Sequence, residues 1–177
     1  MRTSEASRTG IEAIAHAFAQ AHAQSRAALI TYLTIGYPTP EATTELVCAL
    51  QAGGADLIEL GVPHSDPVAD GPAIQRASYI ALQAGVTPRS CLEQVQTLRR
   101  ASVTVPLLLM GYFNPILNYG LAEYASDCHE AGADGLIVPD LPLEEADALA
   151  AACAPQGLAL VYLVAPTTSE ARLARLA

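Results

Sequence analysis

Apolar positions follow two different spacings along the chain. In residues 10–24 they recur three and four apart, which predicts a helix near the N-terminus. Short apolar runs, typical of buried strands, are found at 28–35, 56–60, 106–111, 134–140 and 158–164. Helical spacing or helix-start signals occupy the segments at 39–53, 73–84, 88–101, 120–131, 143–154 and 169–177. The chain therefore alternates strand and helix after its first helix.

This alternation predicts an α/β fold with a parallel sheet, because apolar strands joined by helices have both faces covered. An internal sequence repeat supports a repeated structural unit, since AGGADLIELGVP at 52–63 resembles AGADGLIVPDLP at 131–142. We expect a TIM (β/α)8 barrel, here truncated to about five βα units with an N-terminal helix. A doubly wound sheet is the competing fold. It usually has a glycine-rich turn after its first strand, whereas TIGYPTP has a single glycine.

Composition and charge narrow the function classes. The chain is 51% hydrophobic and 15% charged, which excludes a disordered polypeptide. Its net charge of −9 argues against nucleic acid or an anionic membrane surface as a partner. All nine basic residues are arginine. Without lysine, this chain cannot form a Schiff base, attach pyridoxal phosphate or carry a P-loop.

Cysteines, leader signals and metal-ligand spacing point to no special chemistry. The four cysteines, none in a CxxC pair, are expected to be reduced and mostly buried; they are Cys48, Cys91, Cys128 and Cys153. MRTSEASRTG lacks the apolar stretch of a signal peptide, and no apolar run reaches the roughly 20 residues that span a bilayer. We therefore expect a cytoplasmic protein. His64, Asp66 and Asp70 lack a metal-ligand spacing, so no metal is expected.

Candidate acid–base chemistry concentrates in ADLIELGVPHSDPVADGP. Glu59 lies among apolar neighbours near the carboxyl end of a strand, where barrel active sites lie. Burial would raise the pKa of its carboxyl and let it donate a proton near neutral pH, unless it pairs with a buried arginine. Asp70 follows in a loop stiffened by three prolines. Asp66 and Asp70 could equally form turns or cap the next helix.

This region resembles the tryptophan synthase α chain family, whose signature is close to ELGVPFSDPxADGPxIQ. Three further segments resemble the same family in the same order: LITYLTIGYP (29–38), LLLMGYFNPILNYG (107–120) and ADGLIVPDLPLEE (133–145). The resemblance implies cleavage of indole-3-glycerol phosphate to indole and glyceraldehyde 3-phosphate without a cofactor. It also implies an α2β2 complex with the tryptophan synthase β chain, which carries the pyridoxal phosphate.

The resemblance also assigns roles to individual residues. Glu59 matches the glutamate that protonates the indole ring carbon and then takes the glycerol hydroxyl proton, and Asp70 matches the aspartate that stabilises positive charge at the indole N–H. The implied substrate-binding residues are Tyr32, Thr34, Met110, Tyr112, Ile137 and Leu163. For the apolar ones, ordinary barrel core is the alternative. Pro63 and Asp66 match the contact region for the β chain, and Asp140 matches a carboxylate that orders a neighbouring loop.

Two departures from the family pattern affect these expectations. His64 stands where the signature has phenylalanine. The sequence also has no counterpart of the family's phosphate loops, which follow strands six to eight. We therefore expect residues 1–177 to form a single, incomplete barrel domain that is inactive or nearly inactive alone. The alternatives are a non-catalytic scaffold that self-associates or binds the β chain, and another phosphate-sugar barrel lyase or isomerase.

Overall fold

Strands and helices alternate through residues 9–176, the part of the chain that the computed structural model describes. The five strands are β1 (Ile30–Thr34), β2 (Leu57–Gly61), β3 (Leu107–Met110), β4 (Gly135–Ile137) and β5 (Ala159–Val161). The α-helices are α1 (Gly10–Ala23), α2 (Ala42–Ala52), α3 (Pro72–Gln83), α4 (Pro88–Arg100), α5 (Phe113–Tyr119), α6 (Leu121–Ala131), α7 (Asp147–Cys153) and α8 (Glu170–Leu176). The absence of a leader was predicted mainly from residues 1–8, which lie outside the described residues.

The strands form one parallel sheet in the order β1-β2-β3-β4-β5. Each strand pairs with the next one along the chain, so every connection is a crossover through helical segments. This arrangement confirms the predicted α/β class and the parallel sheet.

The sheet has two different apolar faces. Helices α2 to α7 cover one face, where the large core includes Ile58 and Leu60 of β2. On the other face lies a small cluster of Leu57, Leu108 and Ile137, packed against Ile14 of α1. Because side chains alternate along a strand, Glu59 lies on the same face as Leu57. β2 therefore contributes side chains to both faces of the sheet.

Several boundaries differ from the prediction, and the strand predicted at 158–164 is confirmed only at 159–161. The strand predicted at 134–140 ends at Ile137, because Pro139 has no N–H with which to continue the ladder. The helix predicted at 120–131 is confirmed as α6, but a helix that was not predicted, α5, precedes it, and Gly120 at φ +100° separates the two. The helix predicted at 143–154 is split into a 3-10 turn, Leu143–Glu145, and the shorter α7.

A repeated ion pair ties the amino ends of the strands together. Asp56, just before β2, accepts hydrogen bonds from the Arg26 guanidinium and from the backbone N–H of Leu29, the latter at 2.7 Å. Asp134, just before β4, accepts one from Arg99 and one from the Leu107 N–H at 2.7 Å. The two aspartates occupy matching positions of the internal sequence repeat. Each therefore joins its strand to the start of the neighbouring strand.

The cysteines are free thiols, as predicted. Cys91, Cys128 and Cys153 are buried, and Cys48 is partly exposed. Burial raises the pKa of Cys91 to about 12 and that of Cys153 to about 11, which keeps these thiols protonated and unreactive. No helix within residues 9–176 combines the length and apolar character needed to cross a membrane.

Candidate active site

Glu59 is the central candidate, and its surroundings match an acid rather than a structural ion pair. It is the third residue of β2, half-buried on the face opposite helices α2 to α7. Burial raises the pKa of its carboxyl. None of the ion pairs formed by residues 9–176 includes Glu59. The alternative prediction, that Glu59 pairs with a buried arginine, is therefore not observed among these residues.

Tyr32 stands beside Glu59 on the neighbouring strand, where the two residues are register partners. Its hydroxyl lies 3.3 Å from the Thr34 Oγ1 and packs over Gly61, where a Cβ would overlap it. Burial raises the pKa of the Tyr32 phenol, and the nearby charges of Asp70 and Glu59 raise it further. Tyr32 therefore lies within electrostatic reach of both candidate carboxylates.

Asp70 is held by Tyr112, the residue that precedes α5. The Tyr112 hydroxyl donates to the Asp70 Oδ2 at 3.0 Å and accepts from the Ala69 N–H at 2.9 Å. The His64 ring stacks on the Tyr112 ring, with centroids 4.9 Å apart and planes inclined by 26°. Burial, with the Asp70 hydrogen bond and charge, raises the pKa of Tyr112 to about 12. Neither the stack nor this bond was predicted.

Three predicted substrate contacts form a single row across the sheet. Thr34, Met110 and Ile137 are joined through the register partners Thr34↔Gly61, Gly61↔Met110 and Met110↔Ile137. Thr34 and Ile137 are buried and Met110 is half-buried. This row lies two residues nearer the carboxyl ends of the strands than the row of Tyr32 and Glu59, on the same face of the sheet. A small apolar ligand entering from that end would contact both rows.

Leu163 lies apart from these residues. It follows the end of β5, is 60% exposed, and lines a separate cleft with Asp140 and Arg172. Its role in substrate binding stays a prediction. The Asp140 carboxylate accepts hydrogen bonds from the Phe113 N–H at 2.9 and 3.2 Å, which joins the β4 loop to the start of α5.

The two residues predicted to meet a partner differ in exposure. Pro63 is buried against Tyr112 and its neighbours, whereas Asp66 is exposed at the loop tip. Val68, which the sequence did not single out, is 74% exposed beside it. The sequence signal that could have identified Val68 was its position as an apolar residue in a Pro-rich loop. Across residues 9–176, no three His, Cys, Asp or Glu side chains cluster closely enough to hold a metal ion.

Comparison with known proteins places this geometry in a family. The family model described as "Tryptophan synthase alpha chain" matches residues 18–177. The chain belongs to the tryptophan synthase alpha chain family. An alpha chain from Roseiflexus sp. (strain RS-1) is 53% identical over 164 residues, which cover 93% of this chain and 63% of that protein. The "Tryptophan synthase" of Saccharomyces cerevisiae is 49% identical over 162 residues, covering 92% of this chain and 23% of that protein.

Solved structures give the same result. The tryptophan synthase subunit alpha from Legionella pneumophila str. Paris superimposes with a TM-score of 0.88 at 42% identity, covering 92% of this chain and 62% of that one. A Mycobacterium tuberculosis tryptophan synthase chain gives 0.87 at 42% identity, with 92% and 63% covered. The chain thus spans about three fifths of the length of these alpha-chain relatives. The five strands are part of a (β/α)8 barrel, which confirms the predicted fold family.

Proposed function

We propose that this chain supplies the acid–base residues of a cytoplasmic enzyme of tryptophan biosynthesis that cleaves indole-3-glycerol phosphate. The observation that carries the proposal is Glu59. It is half-buried near the carboxyl end of β2, has a raised carboxyl pKa, forms no ion pair within residues 9–176, and shares its end of the sheet with Asp70. A carboxyl group in this situation can donate a proton near neutral pH and then act as a base.

The reaction follows from these two carboxyl groups. Glu59 donates its proton to the indole ring carbon that bears the glycerol chain, and the ring nitrogen becomes positively charged. The Asp70 carboxylate stabilises that charge by accepting a hydrogen bond from the indole N–H. The Glu59 carboxylate then removes the proton of the adjacent glycerol hydroxyl. The carbon–carbon bond breaks, its electrons return to the ring, and indole and glyceraldehyde 3-phosphate are released.

The proposed indole pocket is formed by the two register rows near the carboxyl ends of the strands. Tyr32 and Thr34 would contact the ring from β1, and Met110 and Ile137 from β3 and β4. Leu163 would add a wall from the β5 loop. The cleavage needs no lysine and no cofactor from this chain, and pyridoxal phosphate would belong to the β chain.

Glu59→Gln tests the proposal directly, because the amide keeps the shape and loses the transferable proton. Indole release from indole-3-glycerol phosphate is measured with the complete product of the reading frame that contains this sequence. We expect at least about a 10²-fold loss of kcat, with substrate binding by calorimetry retained. Glu45→Gln, an exposed carboxyl on α2, is the matched control.

The outcomes separate two failures. If Glu59→Gln releases indole at the wild-type rate, the assignment of the acid is wrong. If the unmodified protein consumes the substrate without releasing indole, another phosphate-sugar lyase or isomerase activity replaces the proposal.

We also propose the tryptophan synthase β chain as the partner of the loop that carries Asp66. The exposed Asp66 and Val68 at its tip support this proposal, and the buried Pro63 would shape the loop from below. Asp66→Ala should weaken co-elution with the β chain in size-exclusion chromatography. Glu130→Ala, an exposed carboxyl on α6, should not. Equal co-elution of both variants would remove this loop from the interface.

A further inference from the structure

Tyr112 is where the β2–α3 loop, residues 62–71, attaches to the rest of the fold. Three loop residues converge on this one side chain: His64 on its ring, and Ala69 and Asp70 on its hydroxyl. Tyr112 itself is only 6% exposed, so it is a fixed point of the structure. The loop therefore folds around Tyr112 rather than merely lying beside it.

Few other hydrogen bonds hold this loop. Within it, the Val68 N–H donates to the Asp66 carbonyl and the Asp70 N–H to the Pro67 carbonyl. For residues 63–70, the hydrogen bonds that leave the loop within the described chain are the two at Tyr112 and one from Gln75 to the Asp70 carbonyl. Tyr112 is thus the contact that decides where the Asp70 side chain points.

The direction of these hydrogen bonds is set by chemistry. An amide N–H can only donate, so the Tyr112 oxygen accepts from Ala69 and its own proton is free for a different acceptor. A carboxylate can only accept, so that proton goes to the Asp70 Oδ2. The second carboxylate oxygen of Asp70 stays available for another donor.

We propose that Tyr112 is a positioning residue that fixes the Asp70 carboxylate for the charged intermediate, rather than only a wall of the indole pocket. This inference rests on the proposed function, because it assumes that Asp70 meets the indole N–H. His64 completes the arrangement by stacking on the aromatic ring of Tyr112, while the hydroxyl binds Ala69 and Asp70. A flat ring is what position 64 needs for this purpose, and an imidazole provides it.

Amide hydrogen exchange tests the positioning without any substrate. Tyr112→Phe keeps the ring and removes the hydroxyl, so the segment covering residues 64–70 should exchange about tenfold faster, the equivalent of one hydrogen bond. Tyr119→Phe is the matched control, because Tyr119 donates to Asp127 in the same way but away from the loop. Unchanged exchange in Tyr112→Phe would overturn the proposal.

The stack with His64 gives a second comparison in the same experiment. His64→Ala should also speed exchange of this segment, whereas His64→Phe should keep the protection because the flat ring is retained. Faster exchange in both His64 variants would contradict the role given to stacking.

Kinetics then separate positioning from substrate contact. In the complete reading-frame product, Tyr112→Phe should lower kcat about tenfold and leave KM within about twofold. A rise in KM with kcat unchanged would make Tyr112 a binding residue and overturn the proposal. If the unmodified protein releases no indole, the proposed function fails, while the exchange experiment still decides whether Tyr112 holds Asp70.

Discussion

Asp56 lies just before β2 and Glu59 is the third residue of that strand, and the fold treats their two carboxyl groups in opposite ways. Asp56 accepts from both an arginine and a backbone N–H, and these hydrogen bonds lower its pKa to about 2. Glu59 forms no ion pair in the described residues, and burial raises its pKa. The residue before the strand is a permanently charged anchor, and Glu59 within the strand has a carboxyl that can hold a proton.

The same contrast runs across the sheet. At the amino ends, Asp56 and Asp134 are neutralised by Arg26 and Arg99. At the carboxyl end of the neighbouring strands, Asp70 is bound by a neutral phenol. A charged partner neutralises a carboxylate and holds it in place, although burial still raises the pKa of Asp134 beside Arg99. A neutral donor orients a carboxylate and leaves its charge uncompensated. The difference separates the end that holds the fold from the end proposed to carry chemistry.

The largest expected effect comes from breaking an anchor. Asp134→Ala leaves the partly buried Arg99 without its acidic partner and the Leu107 N–H without its acceptor. We expect a loss of about 3 kcal/mol in the free energy of unfolding, measured by urea denaturation. Glu130→Ala, an exposed carboxyl nearby in sequence, should change it by less than about 0.5 kcal/mol. Equal losses in both would contradict an anchoring role for the pair.

A second variant tests how tightly the other end is packed. Gly61→Ala puts a methyl group where the Tyr32 hydroxyl lies. We expect a loss of about 2 kcal/mol in the free energy of unfolding from overpacking. Gly71→Ala is the control, because that position has open space and a φ of −78°. A fully stable Gly61→Ala protein would show that Tyr32 is free to move from its place beside Glu59.

Glu59→Gln should have the opposite sign and stabilise the protein by about 0.5–1 kcal/mol at neutral pH. The raised pKa means that the folded state penalises the charged form. Wild-type stability is therefore lowest above the folded-state pKa and recovers as the pH falls toward the ordinary glutamate value. The gap between variant and wild type should close over that range in chemical denaturation. A destabilised variant would indicate that the Glu59 charge has a partner after all.

The smallest effect is a change in pH slope at Asp56. Because its pKa is lowered from 3.8 to about 2, its stabilisation is complete above about pH 4 and is lost as the pH falls toward 2. Asp56→Asn should flatten the dependence of unfolding free energy on pH in that window. An unchanged slope would assign the acid sensitivity to other carboxylates.

Much of the fold could be predicted because its signals are local. Apolar runs located all five strands, and alternation within β2 put Glu59 and Leu57 on one face. The ends of elements were less predictable. β4 ends early, before a turn that contains a proline. At the start of α5, the Phe113 N–H donates to Asp140, which lies 27 residues further along the chain.

The candidate site divides in the same way. Residue type and position near a strand end pointed to Glu59, and the Pro-rich loop pointed to Asp70. The hydrogen bond between Tyr112 and Asp70 joins residues 42 positions apart. No spacing along the chain encodes such a contact, because it depends on which loop packs against which strand end.

The sequence by itself determined that Glu59 and Leu57 would share one face of β2, since side-chain alternation is a property of the extended backbone. Only the tertiary structure decided which face that is, and that no arginine within residues 9–176 pairs with the Glu59 carboxyl. Arg26 and Arg99 are both engaged at the amino ends of the strands, where aspartates and backbone groups hold them. Charge pairing is a long-range choice among many possible partners, and packing of the parallel sheet makes that choice.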